Sequence, residues 1–385
     1  MGKAQAQQIL KRLDKIDSGR LTLVTPDGKT HIFEGKNPGE TAKLELNDWR
    51  VLGNIVWKGD IGFADDYRAG HWQTDDLTAL ITLGLHNKRA MDRFVVGNSF
   101  FRLLSMLAYL PKINSLKGSK KNIHAHYDLG NVFYKLWLDP SMTYSAAIFK
   151  NDQESLEQAQ YNKYDRMLDC LEHKTGKMLE IGCGWGGFAE RAQKRGDFNI
   201  KGITLSEEQH QYASSRLGAK AKIALEDYRH QEGTYDKIVS IEMFEAVGER
   251  YWSTYFSKIG ALLSKKGKAV IQTITINEED FPRYRSGGDF IRSYIFPGGM
   301  LPCASRFHEE VKKAGLKSQN MYHFGRDYAR TLERWLKLFD QNCDQVRALG
   351  YDESFIRLWR FYLAACIAGF KAERTDVMQV ELSHA

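Results

Sequence analysis

Three glycines, Gly182, Gly184 and Gly186, stand directly after the short apolar segment Met178–Ile181. Glycine allows the backbone to pass close to a ligand where a side chain would clash. The pattern of residues 186–195 predicts a helix, whose first turn presents free N–H groups. In α/β sheets, ligands bind outside the carboxyl ends of the strands. The loop therefore indicates a ligand site, although a Gly-x-Gly string is also compatible with a plain tight turn.

Several further strings accompany this loop in a fixed order. They are His126-Tyr127-Asp128-Leu129, Met142-Thr143-Tyr144-Ser145, Ile203-Thr204-Leu205-Ser206 with Gln209, Asp227-Tyr228, Ser240–Gly248 and Phe296–Gly299. The glycine loop resembles motif I of class I S-adenosylmethionine-dependent methyltransferases. The whole set resembles the cyclopropane-fatty-acid synthase family, which includes the mycolic acid cyclopropane synthases. The resemblance runs from about residue 120 to the C-terminus, and the residues before it are similar to the accessory domain of the phospholipid-acting members.

This resemblance implies that the cofactor is S-adenosylmethionine, and it assigns residues to that cofactor. Asp227 and Tyr228 are expected beside its adenine. The other expected contacts are Tyr144, Ser145, Gly182, Gly184, Thr204, Leu205, Gln209 and Ile241. No metal site is predicted, because His124 and His126 lack a third ligand at a suitable spacing.

The chemistry that the resemblance implies places demands on the pocket. An isolated alkene attacks a sulfonium methyl group only if water is excluded and the two are held in line. The attack leaves positive charge on carbon, which aromatic faces attract. The aromatic candidates are Tyr144, Phe281, Tyr294, Phe296 and Tyr328, with core packing favoured for Phe296.

A base must then remove a proton from the cation. The resemblance implies that bicarbonate is this base, held by a glutamate, a histidine, a tyrosine and backbone N–H groups. The matching glutamate, tyrosine and backbone donor are Glu245, Tyr328 and Ile274. Two positions differ from the family pattern, which has a cysteine at Ala146 and a histidine at Gln272.

The two departures have different consequences for the mechanism. The resemblance implies that the position of Ala146 acts through its backbone N–H, so that little is lost there. Glutamine at 272 forms hydrogen bonds but cannot carry a proton, so cyclopropane formation and simple C-methylation both stay open. Cys366 also matches a family cysteine, and a structural role is favoured for it, because a free cysteine is usually a small buried apolar residue.

The elements that must position these residues follow from the hydrophobic pattern. Short apolar strands alternate with helices from about residue 120, which predicts an α/β fold with a Rossmann-like doubly wound sheet. The predicted strands and helices are Met178–Ile181, 186–195, Ile200–Thr204, Glu207–Leu217, Ala221–Leu225, Lys237–Glu242, 250–263 and Ala269–Ile274. This catalytic domain is predicted to span residues 122–385.

A smaller α+β domain is predicted over residues 1–90. Its clearest signal is the turn Thr25-Pro26-Asp27-Gly28 between two apolar runs, which predicts a hairpin. Alternation through Ala42, Leu44 and Leu46 predicts strands over 42–57, and helices are predicted from Ile61 to Leu85.

Residues 91–121 are predicted to form a basic amphipathic connecting segment, because they are apolar to Leu110 and then rich in lysine. Such a helix binds a membrane interface, but a buried helix followed by a basic linker fits equally well. The net charge of +7 favours anionic partners. No signal peptide, no stretch of about 18 apolar residues and no nucleic-acid-binding pattern is seen. We therefore expect a cytoplasmic protein bound peripherally to the inner face of the membrane, with a homodimer as one option.

Four functions remain to be compared. The first is one-carbon transfer to the double bond of unsaturated phospholipid acyl chains, as in cyclopropane synthases. The second is acyl C-methylation that gives methyl-branched, methylene or furan-precursor lipids. The third is a non-catalytic lipid-binding protein. A nucleic-acid methyltransferase is the fourth, and the residues Glu242–Val247 lack the substrate motif that it normally needs.

Overall fold

A computed structural model of the chain describes residues 10–88, except residue 12, and residues 129–385. The predicted connecting segment 91–121 and His126 lie outside these residues. The strands are β1 Ser18–Val24, β2 Thr30–Glu34, β3 Asn37–Leu46, β4 Trp72–Gln73, β5 Thr175–Ile181, β6 Asp197–Thr204, β7 Ala221–Leu225, β8 Tyr235–Ile241, β9 Leu263–Ile276, β10 Leu316–His323 and β11 Thr375–His384.

The helices carry labels in chain order. They are α1 Arg50–Lys58, α2 Asp60–Arg68, α3 Leu77–His86, α4 Gly130–Lys135, α5 Leu156–Cys170, α6 Gly187–Arg195, α7 Glu207–Leu217, α8 Trp252–Leu262, α9 Phe281–Arg285, α10 Phe290–Tyr294, α11 Ala304–Lys313, α12 Gly325–Gln341, α13 Cys343–Ala348 and α14 Glu353–Lys371. No helix in the described part of the chain has both the length and the apolar character needed to cross a membrane.

A seven-stranded sheet has the strand order β10-β11-β9-β8-β5-β6-β7. The five strands from β9 to β7 run parallel, and β11 and β10 add two antiparallel pairings at one edge. One buried cluster joins the strands to the helices α5 and α6 through residues such as Met167, Phe188 and Val239. The alternating pattern thus correctly predicted an α/β fold with a doubly wound sheet.

The four-stranded sheet has the order β2-β1-β3-β4. Its β1 and β2 form the predicted antiparallel hairpin. The prediction of strands over 42–57 is wrong beyond Leu46, because the chain turns there and forms α1. The carboxylate of Asp48 accepts a hydrogen bond from the Arg50 N–H at 2.8 Å, and Val51 and Leu52 are buried.

The described residues group into two compact units. One unit contains the described residues up to 88 together with Arg283–Ile295 and Phe339–Arg374. The other contains the described residues from 129 to Pro282 with Phe296–Leu338 and Thr375–Ala385. This grouping differs from the predicted boundaries 1–90, 91–121 and 122–385. The reason is packing within the first unit, where α14 lies against α2 and α3 and its Phe361 contacts the ring of Phe63.

Candidate active site

The glycine loop joins β5 to α6. Its Gly182 and Gly184 adopt left-handed backbone angles, with φ of 82° and 51°. The N–H groups of Gly182 and Cys183 donate to the Ile203 carbonyl at 3.0 and 2.9 Å, which fastens the loop to β6. A Cβ atom at Gly182 would lie 3.0 Å from Cγ of Met243, whereas one at Gly184 would enter open space. The loop therefore leaves room for a ligand beside Gly184.

A cavity of about 160 Å³ adjoins this loop at the carboxyl ends of β5, β6 and β8. Nine of the ten residues predicted to contact the cofactor line it, namely Tyr144, Ser145, Gly182, Gly184, Thr204, Leu205, Gln209, Tyr228 and Ile241. The lining also includes three glutamates that the prediction omitted, Glu180, Glu226 and Glu242. Carboxylates of this kind favour a cationic ligand.

Asp227 is the predicted cofactor residue that does not line the cavity. Although burial opposes it, hydrogen bonding to Arg229 lowers the pKa of Asp227. The pair is held by two side-chain bonds of 2.9 and 2.5 Å. The neighbouring Tyr228 does line the cavity, and its buried hydroxyl has no hydrogen-bond partner among the described residues. That hydroxyl and the space beside Gly184 fit a polar ligand such as S-adenosylmethionine.

Two polar lining residues hold each other at the end of β6. The hydroxyl of Thr204 donates to Oε1 of Gln209 at 2.8 Å. Ser206 caps α7, because its hydroxyl accepts a bond from the Gln209 N–H at 3.3 Å. The strand end, the cap and the first turn of the helix thus fix both side chains at the cavity.

Tyr144 and Ser145 approach the cavity from the segment before α5. The ring of Tyr144 lies 5.3 Å from that of Trp137, 5.4 Å from that of Trp335 and 5.6 Å from that of Tyr134. These contacts fix its aromatic face at the cavity wall. The carbonyl of Ser145 accepts a bond from Gln160 Nε2 at 2.8 Å, which anchors the segment to α5.

Lys163 of α5 is completely buried beneath this segment. Its ammonium group donates to Oγ of Ser145 at 2.6 Å and lies 4.2 Å from the ring centre of Tyr164. Burial lowers the pKa of Lys163 to about 7, and the charge of Glu242 opposes this shift. A buried cation therefore stands close to the carboxylates at the carboxyl end of β8.

Glu242 stands directly after β8 and collects three hydrogen bonds from separate parts of the chain. Its Oε1 accepts from the Ala146 N–H at 2.9 Å and from Gln272 Nε2 at 2.7 Å. Its Oε2 accepts from the Tyr328 hydroxyl at 2.6 Å. Burial raises the pKa of Glu242, while these bonds and the charge of Lys163 oppose the rise.

The backbone of Glu242 lies in the left-handed region, with φ of 50°. For a residue other than glycine, this conformation costs about 1–2 kcal/mol. Conformational strain of this kind concentrates at functional sites, where the surrounding contacts maintain it. The three bonds to the carboxylate are such contacts.

Glu245 lies one turn further on, in a short 3-10 turn formed by Phe244–Ala246. Its Oε1 accepts bonds from the Ile274 N–H and, at 3.0 Å, from the Thr273 hydroxyl. Its Oε2 is inaccessible to solvent and has no hydrogen-bond partner in the described residues. Burial, and then the charge of Glu242, raise the pKa of Glu245 to about 8. Both effects favour the protonated form of Glu245.

Gln272 is held from both sides. Its Oε1 accepts a bond from Gln379 Nε2 at 3.0 Å, and Oε1 of Gln379 accepts from Arg166 at 2.8 Å. Gln272 and Gln379 are completely buried. This relay orients the Gln272 amide so that its N–H points at Glu242.

The structure therefore brings most predicted catalytic residues together, but around a residue that the prediction omitted. Ala146, Gln272 and Tyr328 converge on Glu242, and Ile274 binds Glu245.

The remaining candidate, Cys366, belongs to the other compact unit, as does Tyr294, whose hydroxyl binds Asp65 at 2.7 Å. Phe281 packs on Trp252. Glu242 carries a signal that could have revealed it, because it is an acidic residue inside an apolar string at a strand end.

The expected bicarbonate does not fit this arrangement. The donors predicted to hold it are the N–H groups of Ala146 and Ile274, the Gln272 amide and the Tyr328 hydroxyl. Each of them already donates to a protein carboxylate. A further anion would also meet the negative charge of Glu242 at short range.

Comparison with known proteins agrees with this site. The family model described as mycolic acid cyclopropane synthetase matches residues 114–380. The chain belongs to this family. It is 36% identical over 337 residues to a tuberculostearic acid methyltransferase of Mycobacterium tuberculosis, covering 83% of this chain and 78% of the relative. It is 32% identical over 354 residues to the cyclopropane-fatty-acyl-phospholipid synthase of Escherichia coli K12, covering 90% and 89%.

The chain is also similar to solved structures of S-adenosylmethionine-dependent enzymes. The mycolic acid cyclopropane synthase CmaA1, complexed with SAH and CTAB, superposes with a TM-score of 0.65 at 31% identity. The match covers 68% of this chain and 97% of that structure. The chain is thus an S-adenosylmethionine-dependent enzyme with the Rossmann-like methyltransferase fold.

Proposed function

We propose that this family member transfers the methyl group of S-adenosylmethionine to the double bond of an unsaturated fatty acyl chain carried by a phospholipid. The observation that carries the proposal is the carboxylate of Glu242 in the wall of the cofactor cavity, held by three donors. When the methyl group is transferred to oxygen or nitrogen, the accepting group already carries a proton that can be removed. A transfer to an alkene leaves a carbocation, which needs a base placed inside a dry site.

Other residues of the chain would bind the cofactor, stabilise positive charge and exclude water. S-adenosylmethionine, when bound, supplies an electrophilic methyl group. The glycine loop, Thr204 and Gln209 would hold it, and Tyr228 offers a buried hydroxyl that has no partner among the described residues. Tyr144 presents an aromatic face at the cavity, which suits a developing positive charge. Buried packing around Trp137 and Trp335 keeps water from that side of the site.

A second candidate is C-methylation without ring closure. It begins with the same addition. Loss of a proton from a neighbouring chain carbon gives a methyl-branched alkene. A hydride shift that moves the cation onto the methylated carbon, followed by loss of a proton from the added methyl group, gives a methylene product. Two observations favour it: Gln272 stands where the family pattern has histidine, and the relative named tuberculostearic acid methyltransferase is 36% identical. The two candidates share the cofactor site and the first addition, and they differ in the hydride shift and proton loss that follow.

Expression in a host rich in monounsaturated phospholipids tests the proposal. We expect acyl chains that gain one CH₂ in mass spectrometry, and NMR then distinguishes a cyclopropane from a branched alkene of equal mass. The Gly184→Ala variant serves as a control with a damaged cofactor site. An unmodified lipid profile, together with measured binding of S-adenosylhomocysteine, would instead support a non-catalytic lipid-binding protein.

We extend the proposal to peripheral binding at the cytoplasmic face of a membrane. Its basis is the sequence, which has a net charge of +7 and the lysines Lys112, Lys117, Lys120 and Lys121 after an apolar run. Cations near an anionic surface each contribute about 1 kcal/mol. Co-sedimentation with anionic liposomes should weaken when the four lysines are neutralised, and unchanged binding would exclude their contribution.

A further inference from the structure

The donors that meet at Glu242 form a complete anion site inside the protein. An N–H of Ala146, an amide of Gln272 and a hydroxyl of Tyr328 come from positions 96, 30 and 86 residues away. Each bond from a donor stabilises negative charge on the carboxylate. The anion that this site holds is therefore a side chain of the protein itself.

The charges around the site agree with an ionised Glu242. The buried Lys163 favours the negative charge of Glu242, whereas burial and the charge of Glu242 raise the pKa of Glu245 and favour its protonated form. Of the two glutamates, Glu242 is the one whose negative charge is stabilised by three donors. Glu242 also lines the cavity, so that its carboxylate can face a bound substrate.

We infer that Glu242 is a built-in catalytic base, which accepts the proton of the reaction and makes dissolved bicarbonate unnecessary. The inference rests on the proposed function, because it assigns the base for that reaction. In the assigned step, one C–H bond of the methylated, cationic acyl chain breaks. Its electron pair forms either the third bond of a cyclopropane or a new C=C bond, and its proton binds the Glu242 carboxylate. The chain becomes neutral, and the proton passes to water after the product leaves.

Two substitutions at Glu242 test separately whether its carboxylate accepts the proton and whether it occupies the anion site. Glu242→Gly removes the carboxylate and suits the left-handed backbone at this position, so the variant should fold and leave three donors free for a small anion. Glu242→Gln keeps the shape of the side chain but cannot accept the proton. Glu310→Gln is the control, because Glu310 is a buried glutamate of α11 that pairs with Lys313 and Arg306 instead.

Activity with and without bicarbonate is the first measurement. In buffer freed of carbon dioxide, the unmodified protein and Glu310→Gln should keep full activity. Both Glu242 variants should lose about 100-fold or more, while still binding S-adenosylhomocysteine. Added bicarbonate should restore activity to Glu242→Gly and not to Glu242→Gln. Loss of activity of the unmodified protein on bicarbonate removal, or an active Glu242→Gln variant, would overturn the inference.

Binding of ¹³C-labelled bicarbonate, followed by NMR line width, is the second measurement and needs no lipid. The unmodified protein and Glu310→Gln should not bind the anion, and Glu242→Gly should bind it. Bicarbonate bound by the unmodified protein, or none bound by Glu242→Gly, contradicts the assignment of the anion site. If no lipid is ever modified, the proposed function fails, and this binding contrast still decides whether Glu242 occupies an anion site.

Discussion

The ammonium group of Lys163 and the hydroxyl of Ser145 lie 2.6 Å apart in the interior of the catalytic unit. Burial lowers the pKa of Lys163 to about 7, against 10.5 for an exposed lysine. The unfolded chain therefore binds more protons between these values, and the contribution of Lys163 to stability is lost as the pH falls from 10.5 through 7. The free energy of unfolding should change by at most about 1.4 kcal/mol per pH unit because of this group. Lys163→Met should remove this slope from unfolding curves measured at pH 7 to 10; an unchanged slope would contradict the lowered pKa of Lys163.

Glu245 should change the stability of the fold with pH in the direction opposite to that of Lys163. Its pKa of about 8 in the folded protein exceeds the ordinary 4.5, so its contribution is complete below pH 4.5 and is lost as the pH rises through 8. Glu245→Gln should therefore gain stability relative to the unmodified protein from pH 5 to 8, by at most about 1.4 kcal/mol per pH unit. Denaturant unfolding at several pH values measures this gain. A constant difference between the two proteins would show that Glu245 does not hold a proton.

Gly184→Ala should damage the cofactor site more than the fold. The added Cβ atom meets no heavy atom of the described residues within 4 Å and points into the space beside the loop. The matched control is Gly218→Ala, which has a similar φ of 54° and is equally open, but does not line the cavity. Both variants should lose about 1–2 kcal/mol of stability, because alanine at a positive φ is strained. Only Gly184→Ala should lose affinity for S-adenosylhomocysteine, by roughly tenfold or about 1.4 kcal/mol; equal affinities in calorimetry would place the ligand elsewhere.

Glu180 should couple cofactor binding to proton release. Burial raises its pKa well above 4.5, opposed by Lys163 and Arg216, and its Oε2 has no hydrogen-bond partner among the described residues. A sulfonium charge in the cavity favours the carboxylate, so binding of S-adenosylmethionine should release a proton that neutral S-adenosylhomocysteine does not. Calorimetry in buffers of different ionisation enthalpy measures the difference. Glu180→Gln should abolish it, and equal proton release for both ligands would refute the coupling.

Gln272→His should change the reaction rate or the ratio of cyclopropane to branched product. The amide of Gln272 donates to Glu242 and accepts from Gln379. A histidine satisfies both neighbours in only one tautomer, and when protonated it places a positive charge beside Glu242. Lipid mass spectrometry and NMR read out the effect. A product profile identical to that of the unmodified protein would remove Gln272 from the mechanism.

The sheet of the catalytic unit was predictable because its signals are local. The helix Glu207–Leu217 and the strand Ala221–Leu225 have the predicted bounds. The error over 42–57 also has a local cause, since apolar residues at 51 and 52 extend a strand pattern past the turn at Asp48. The grouping of Arg283–Ile295 with the first unit depends instead on long-range packing, which no local pattern encodes.

The cofactor residues were predictable for the same reason, since Tyr144, Gly182 and Thr204 belong to short contiguous strings. The role of Glu242 was not. Its three donors are distant in sequence, and their meeting point follows only from the strand order. Arg229 likewise engages Asp227 through side-chain geometry that the motif does not contain.

The order of strands along the sheet also has a consequence for biosynthesis. In the described sheet, β11 lies between β9 and β10 and pairs with both, yet it follows both in the chain. While the nascent chain is still on the ribosome, β10 has been made but lacks its neighbour. Gln379, which orients the amide beside Glu242, arrives on the same late strand. The enzyme should therefore acquire its aligned base only after Thr375–His384 has left the exit tunnel.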